Sequence, residues 1–243
     1  MMMARLLAFG VAVVVASGIM APASAEDVQP HSGGTLTIML ERDVKSLDPL
    51  FGNSVSIDRK FYNLYAESLL VTDPSGAVHP NLATSWDVQD AGKTVVFHLR
   101  RNVTFQDGTK FNADAVKFNL DRILDPKLNV PLRPYVAELV SVEVLGDDAV
   151  KVNLSKPAAP FLSMMAAEPG SMVSPSAIKA KGEAFSREPV GTGPFIIASR
   201  TNNEVTATRY DHYWRNDADG KPLPYLDGIK LVINPSEAIR MLQ

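Results

Sequence analysis

The chain has 243 residues, a formal charge of −3, no cysteine, and a composition that is 46% hydrophobic and 7% aromatic. The length suits one large domain or two small ones. So small a charge, with no Lys/Arg run longer than a pair such as Arg100-Arg101, gives no basic face for nucleic acid, and a chain without cysteine has neither disulfides nor thiolate metal sites.

At the N-terminus Arg5 precedes an apolar run from Leu6 to Val15, and Ala23-Ser24-Ala25 supplies a small-x-small cleavage pattern. A cleaved signal peptide over residues 1–25 is expected, with export of the mature chain from Glu26 onward. The competing reading is a membrane anchor from Leu6 to Ala25. Gly18, Pro22 and the small-residue tail favour cleavage. No cysteine stands at the cleavage point to take a lipid.

Residues 26–34 are a polar lead-in ending in Gly33-Gly34, and Thr35 to Leu40 alternates as a strand. Lys45-Ser46-Leu47-Asp48-Pro49 then opens a loop through Asn53 and Ser54. Ile57 to Leu70 predicts a helix with Phe61, Leu64 and Tyr65 on one face, and Asp73-Pro74-Ser75-Gly76 predicts a turn. Val95, Phe97 and Leu99 alternate with Val96, His98 and Arg100, the pattern of a half-buried strand. After a turn at Asp107-Gly108, Asn112 is placed to cap a helix striped by Val116, Leu120, Ile123 and Leu124. That helix should stop at or before Asp125, ahead of Pro126.

Tyr135 to Val140 leads into a hairpin. Val142 and Val144 lie on one strand, Val150, Val152 and Leu154 on the next, across Gly146-Asp147-Asp148. A helix entered by a proline is predicted over Pro157–Ala167, and another from Ser174-Pro175 to near Gly182. Beyond the break at Pro189–Pro194, strands at Phe195–Arg200 and Val205–Arg209 flank Asn202-Asn203. Ile229–Ile233 reads as a buried strand, and Ser236 starts a last helix. That helix has room for about two turns, short of the ~12–15 residues an isolated helix needs. The apolar strand before it has no later partner. The chain is therefore expected to be an incomplete domain; the alternative is a short protein with a frayed end.

Local chemistry is sparse. His31, His79, His98 and His212 show no metal-ligand spacing, and no G-x-S-x-G or Walker sequence occurs. Gly191-Thr192-Gly193 starts like a dinucleotide fingerprint, but Ile196 takes the third glycine position and Pro194 removes a donor. It reads instead as a tight backbone crossing between subdomains. Trp86 and Trp214 read as packing residues, and Asp147-Asp148 as a solvated pair in a turn.

The series D-P-S-G, P-N-L-A-T-S-W, F-H-L-R and F-Q-D-G-T-K-F-N-A-D-A-V-K-F, in that order, resembles the signature of family 5 extracellular solute-binding proteins. These are the dipeptide- and oligopeptide-binding components of ABC importers. The resemblance runs from about Gly33 to the last residue. It implies a type II periplasmic-binding-protein α/β fold with the second lobe missing. Residues 26–60 and 190–243 would form two segments of the sheet-bearing part of the first lobe, and residues 61–189 the family's extra subdomain. It further implies a periplasmic monomer without cofactor or metal that captures a peptide or related solute in a cleft closed by a hinge, and hands it to an inner-membrane permease without a chemical step. Ligand contacts are implied for Asn53, Ser54 and Val55, and for Tyr135. The acidic residue that meets a peptide's amino terminus would lie in the later lobe. Two readings stay open beside this one: a secreted hydrolase with a dispersed active site, and a truncated product with no transport role.

Overall fold

In the computed structural model, residues 30–52, 58–157 and 160–241 are described. The expected signal segment lies outside them. In chain order the elements are β1 (Thr35–Leu40), α1 (Asp58–Tyr65), β2 (Glu67–Ser68), β3 (Leu70–Thr72), β4 (Val78–Pro80), β5 (Ala83–Gln89) and β6 (Thr94–Leu99). Then come α2 (Ala113–Leu124), β7 (Leu139–Val144), β8 (Ala149–Leu154), α3 (Phe161–Met165), β9 (Ser171–Met172), α4 (Pro175–Lys181), β10 (Phe195–Arg200), β11 (Glu204–Arg209), β12 (Gly228–Ile233) and α5 (Glu237–Arg240).

One four-stranded sheet has the order β1-β12-β11-β10 and joins the two ends of the described chain. β1 and β12 run parallel, from Thr35 opposite Gly228 to Leu40 opposite Ile233. β12 pairs with β11 on its other edge, antiparallel. Both partners of this apolar strand, Ile229–Ile233, precede it in the chain. It is an interior strand, and interior strands covered on their faces read as apolar runs. Ile229 and Leu231 pack with Leu40, Leu47, Phe61 and Val205.

The second four-stranded sheet, β5-β6-β8-β7, is antiparallel throughout. The alternation of β6 decides its faces. Val95, Phe97 and Leu99 enter the largest core cluster beside Val150, Val152 and Leu154, with Val116, Leu120 and Ile123 of α2 laid over them. On the other face His98 donates to Asp87 across the strand pair at 2.9 Å. Val96 is also buried there, opposite Asp87 and Lys151 in the register. Asn112 caps α2 through its side-chain oxygen, which accepts from Ala115 N–H at 3.0 Å. The helix stops at Leu124 because Asp125, preceding Pro126, takes extended angles (φ −69, ψ 111).

Two helices are shorter than expected. The helix predicted over Ile57–Leu70 ends at Tyr65 (Ile57 lies outside the described residues). Gly193 N–H donates to the Tyr65 carbonyl at 2.8 Å, and Glu67 then pairs with Met172 between β2 and β9. Tertiary partners capture the backbone before the helix can continue. The helix predicted over Pro157–Ala167 reduces to α3, which starts at Pro160 without a side-chain cap and gives way to a 3-10 turn at Glu168–Gly170 around Pro169. Asp147 and Asp148 are at the surface as expected, but paired: Asp147 with Lys110, and Asp148 with Arg101.

Candidate functional site

The loop after β1 is anchored before it reaches the residues expected to touch ligand. Asp48 precedes the 3-10 turn Pro49–Phe51 and caps it, accepting from Leu50 N–H at 3.2 Å. The same carboxylate takes both arms of Arg122 from α2: Nη2 meets Oδ2, and Nη1 lies 3.4 Å from Oδ1. Two tyrosines of α1 hold the approach to this turn. Tyr62 donates to the Ser46 carbonyl at 3.1 Å, and Tyr65 donates to the Leu47 carbonyl. Burial raises both phenols far above the usual range, so they stay protonated and donating. Asn53, Ser54 and Val55 come next in the chain, outside the described residues.

Beside the anchored turn lies a cavity of about 790 Å³. Phe51, Phe118, Leu128 and Phe185 give it apolar walls, and Asp48 and Arg122 line it as a neutralised pair. That volume falls within the range of small-molecule sites.

The far end of the same loop enters α1 at a cluster of charge. Asp58 is fully buried, with Arg42 Nη2 at 3.6 Å. Arg59 donates from Nη2 to the Ala166 carbonyl at 2.7 Å, tying α1 to the segment before Glu168. Glu168 is 3% exposed, and neither carboxylate oxygen has a hydrogen-bond partner on any other described residue. Burial pushes its carboxyl above the usual range; its own backbone N–H and Arg59 oppose the rise, and Asp58 adds to it. Gly52 closes the cluster at its other edge. A Cβ there would stand 2.4 Å from the Tyr62 hydroxyl and 3.0 Å from Asp58 Oδ2, so only glycine fits.

Tyr135 sits on a 3-10 turn, Arg133–Val136, packed against α3. It is 55% exposed and does not line the cavity beside Asp48. Its hydroxyl makes no hydrogen bond among the described residues.

Sequence reasoning did not find a further carboxylate with a buried side chain, Glu67. It accepts from Trp214 Nε1 at 2.7 Å, Tyr213 OH at 2.8 Å and Thr192 Oγ1 at 3.0 Å, and Arg215 Nε lies 3.5 Å away. Burial raises its pKa against these three donors and the Arg215 charge. Arg100 and Arg215 lie over the Trp214 ring, 4.4 and 4.7 Å from its centre, so its roles here are packing and a hydrogen bond. The Gly191-Thr192-Gly193 stretch runs against the end of α1. A Cβ on Gly191 would come 2.2 Å from the Tyr65 carbonyl oxygen. Gln106 stitches the crossing, donating to the Gly193 and Phe195 carbonyls at 3.0 and 2.9 Å. This is a close backbone approach without a phosphate cradle. Among the described residues no group of three or more His, Cys, Asp or Glu is placed to hold a metal, and no helix is long and apolar enough to cross a membrane.

The arrangement offers pockets, buried charge and anchored loops, and the comparison with known proteins gives it a context. The family model for bacterial extracellular solute-binding proteins, family 5 middle, matches residues 77–243. The chain belongs to this family. As a family 5 member it is 32% identical over 225 residues to the glutathione-binding protein GsiB of Escherichia coli (strain K12), covering 90% of this chain and 41% of that protein. Among solved structures, AgaA of A. tumefaciens R10 in complex with agropinic acid superposes with a TM-score of 0.77 at 28% identity, over 86% of this chain and 41% of AgaA. The periplasmic binding protein DppA of Helicobacter pylori, in complex with the peptide STSA, gives 0.76 at 25% identity, over 87% of this chain and 45% of DppA. This family 5 chain thus spans about two fifths of the length of these relatives. Its fold is the type II periplasmic-binding-protein α/β fold, present as part of a lobe.

Proposed function

We propose that this chain supplies first-lobe surface of an exported protein that captures a peptide or a related small solute and delivers it to an ABC permease in the inner membrane. Family membership across residues 77–243 carries the reading. The anchored turn at Asp48–Phe51 supports it. A binding loop gains affinity when its ends are fixed beforehand, because less ordering remains to be done on contact. On this reading Asn53, Ser54 and Val55 meet the solute, and Tyr135 presents an exposed phenol to it. The sheet containing β1 and β12 belongs to residues 26–60 and 190–243, and the β5-β6-β8-β7 sheet to the extra subdomain at 61–189. The solute leaves unchanged, the protein acts as a monomer in the periplasm, and residues 1–25 are its signal peptide.

Thermal denaturation of the full-length gene product tests this, in the presence of glutathione, the tetrapeptide Ser-Thr-Ser-Ala, or agropinic acid. A solute at one hundred times its Kd should stabilise the protein by about 2.7 kcal/mol. For roughly 150–250 residues that is a rise of about 5–11 °C, and a smaller one in a longer protein. No rise with any of the three, or with a wider dipeptide set, would overturn the reading.

A further inference from the structure

Glu168 presents a problem that the protein alone does not solve. A carboxylate that is 3% exposed normally accepts several hydrogen bonds, yet no other described residue donates to either of its oxygens. Arg59, the cation that acts on it, is engaged elsewhere. Arg59 donates to the Ala166 carbonyl and makes no ion pair with Glu168, and Arg42 lies against Asp58. Asp58, itself buried, adds a second negative charge to the same neighbourhood. The hydroxyl of Tyr62, which feels the Glu168 charge, is spent on the Ser46 carbonyl. The Glu168–Gly170 turn packs against the Pro49–Phe51 turn, so the orphaned carboxylate sits beside the base of the loop expected to meet solute. The cluster reaches solvent at Arg42, whose side chain is 40% exposed.

We infer that Glu168 is the acceptor for a cationic group of the bound solute, an ammonium or a guanidinium. This rests on the solute-capture reading above and adds a charge preference to it. A cation brought to Glu168 supplies the missing donors and relieves the field of two neighbouring carboxylates at once. An anionic or neutral group does neither. The sequence resemblance places the carboxylate for a peptide's amino terminus in the later lobe. Glu168 is a separate acceptor, contributed by the first.

The test uses blocked amino acids that differ by one charge: Nα-acetyl-arginine amide against Nα-acetyl-citrulline amide, and Nα-acetyl-lysine amide against its Nε-acetylated form. Affinity is measured by calorimetry on the full-length protein. The Glu168 carboxyl is followed in parallel by carbon-13 NMR of glutamate-labelled protein, assigned by comparison with Glu168→Gln. At least one cationic probe should bind about tenfold or more tightly than its neutral partner. It should also move the Glu168 titration to lower pH, where sodium chloride of equal ionic strength does not. Glu168→Gln should abolish the preference while leaving the melting temperature at pH 4 unchanged. Equal affinity within both pairs, a preference that survives Glu168→Gln, or a Glu168 titration indifferent to the cationic probes would overturn the inference. If glutathione, Ser-Thr-Ser-Ala or agropinic acid binds while the cationic probes leave Glu168 untouched, solute capture stands and the cation site falls. If the probes shift Glu168 and none of those solutes binds, the reverse holds.

Discussion

Arg122→Leu examines the joint on which the candidate loop depends. The Arg122 and Asp48 side chains are 10% and 9% exposed, so both charges of the pair are desolvated. Leucine keeps much of the packing volume but leaves the Asp48 carboxylate buried, with Leu50 N–H as its remaining donor. Removing one partner of a buried pair typically costs about 3–5 kcal/mol, because the other charge is left uncompensated. At roughly 2–4 °C per kcal/mol for a chain of this size, the melting midpoint should fall by about 6–20 °C. Asp48→Asn in the Arg122→Leu background removes the stranded charge and should recover part of the loss. Urea denaturation of the four proteins in the cycle measures the coupling. Because the pair fixes the turn from which residues 53–55 depart, Arg122→Leu should also weaken solute binding, even at temperatures where the protein is fully folded. A loss below about 1 kcal/mol would match a surface ion pair and refute the argument that this latch is buried and holds the loop.

Three further outcomes are expected. Gly191→Ala forces a Cβ against the Tyr65 carbonyl, where Gly193 also bonds, and should destabilise the protein by about 3 kcal/mol, at the upper end of overpacking effects; circular dichroism melting checks it. Trp86 is only partly buried against the core, so Trp86→Ala should cost about 2 kcal/mol, below the ~3–5 of a fully buried aromatic; chemical denaturation decides between them. Burial raises Glu168 in the folded state above its unfolded value. Its contribution to stability is therefore complete below about pH 4.5 and is lost as pH rises through the folded pKa. Glu168→Gln should match the parent in melting temperature at low pH and exceed it increasingly toward neutrality; a constant difference across that range would show that Glu168 does not titrate as described.

The features legible in the sequence and those hidden from it divide by range. β6, the β7–β8 and β10–β11 hairpins, the Asn112 and Ser174 caps and the Asp125-Pro126 stop are written in residues within a few positions of one another, so alternation and capping rules reach them. The end of α1 is not local. Its continuation to Leu70 is permitted by periodicity and prevented by Gly193, more than one hundred residues away. The pairing of β12 with β1 spans nearly the whole described chain, and no reading of Ile229–Ile233 alone reveals it. The same holds for the buried carboxylates. Glu67 and its donors Thr192, Tyr213 and Trp214 carry no shared motif, and Glu168 in A-E-P-G looks like an ordinary turn acid. Only burial without partners singles it out. The family motifs made the architecture legible, while the chemistry at the loop base became visible only from coordinates.

The central claim is that the protein holds a small solute non-covalently and returns it intact. Equilibrium dialysis of the full-length protein against mixed peptides, glutathione and opines, with mass spectrometry of the retained and released species, tests it most directly. The account predicts stoichiometric retention of one or a few of these solutes and their recovery with mass unchanged. Release of hydrolysed or otherwise altered products, or retention of none of them, would contradict it.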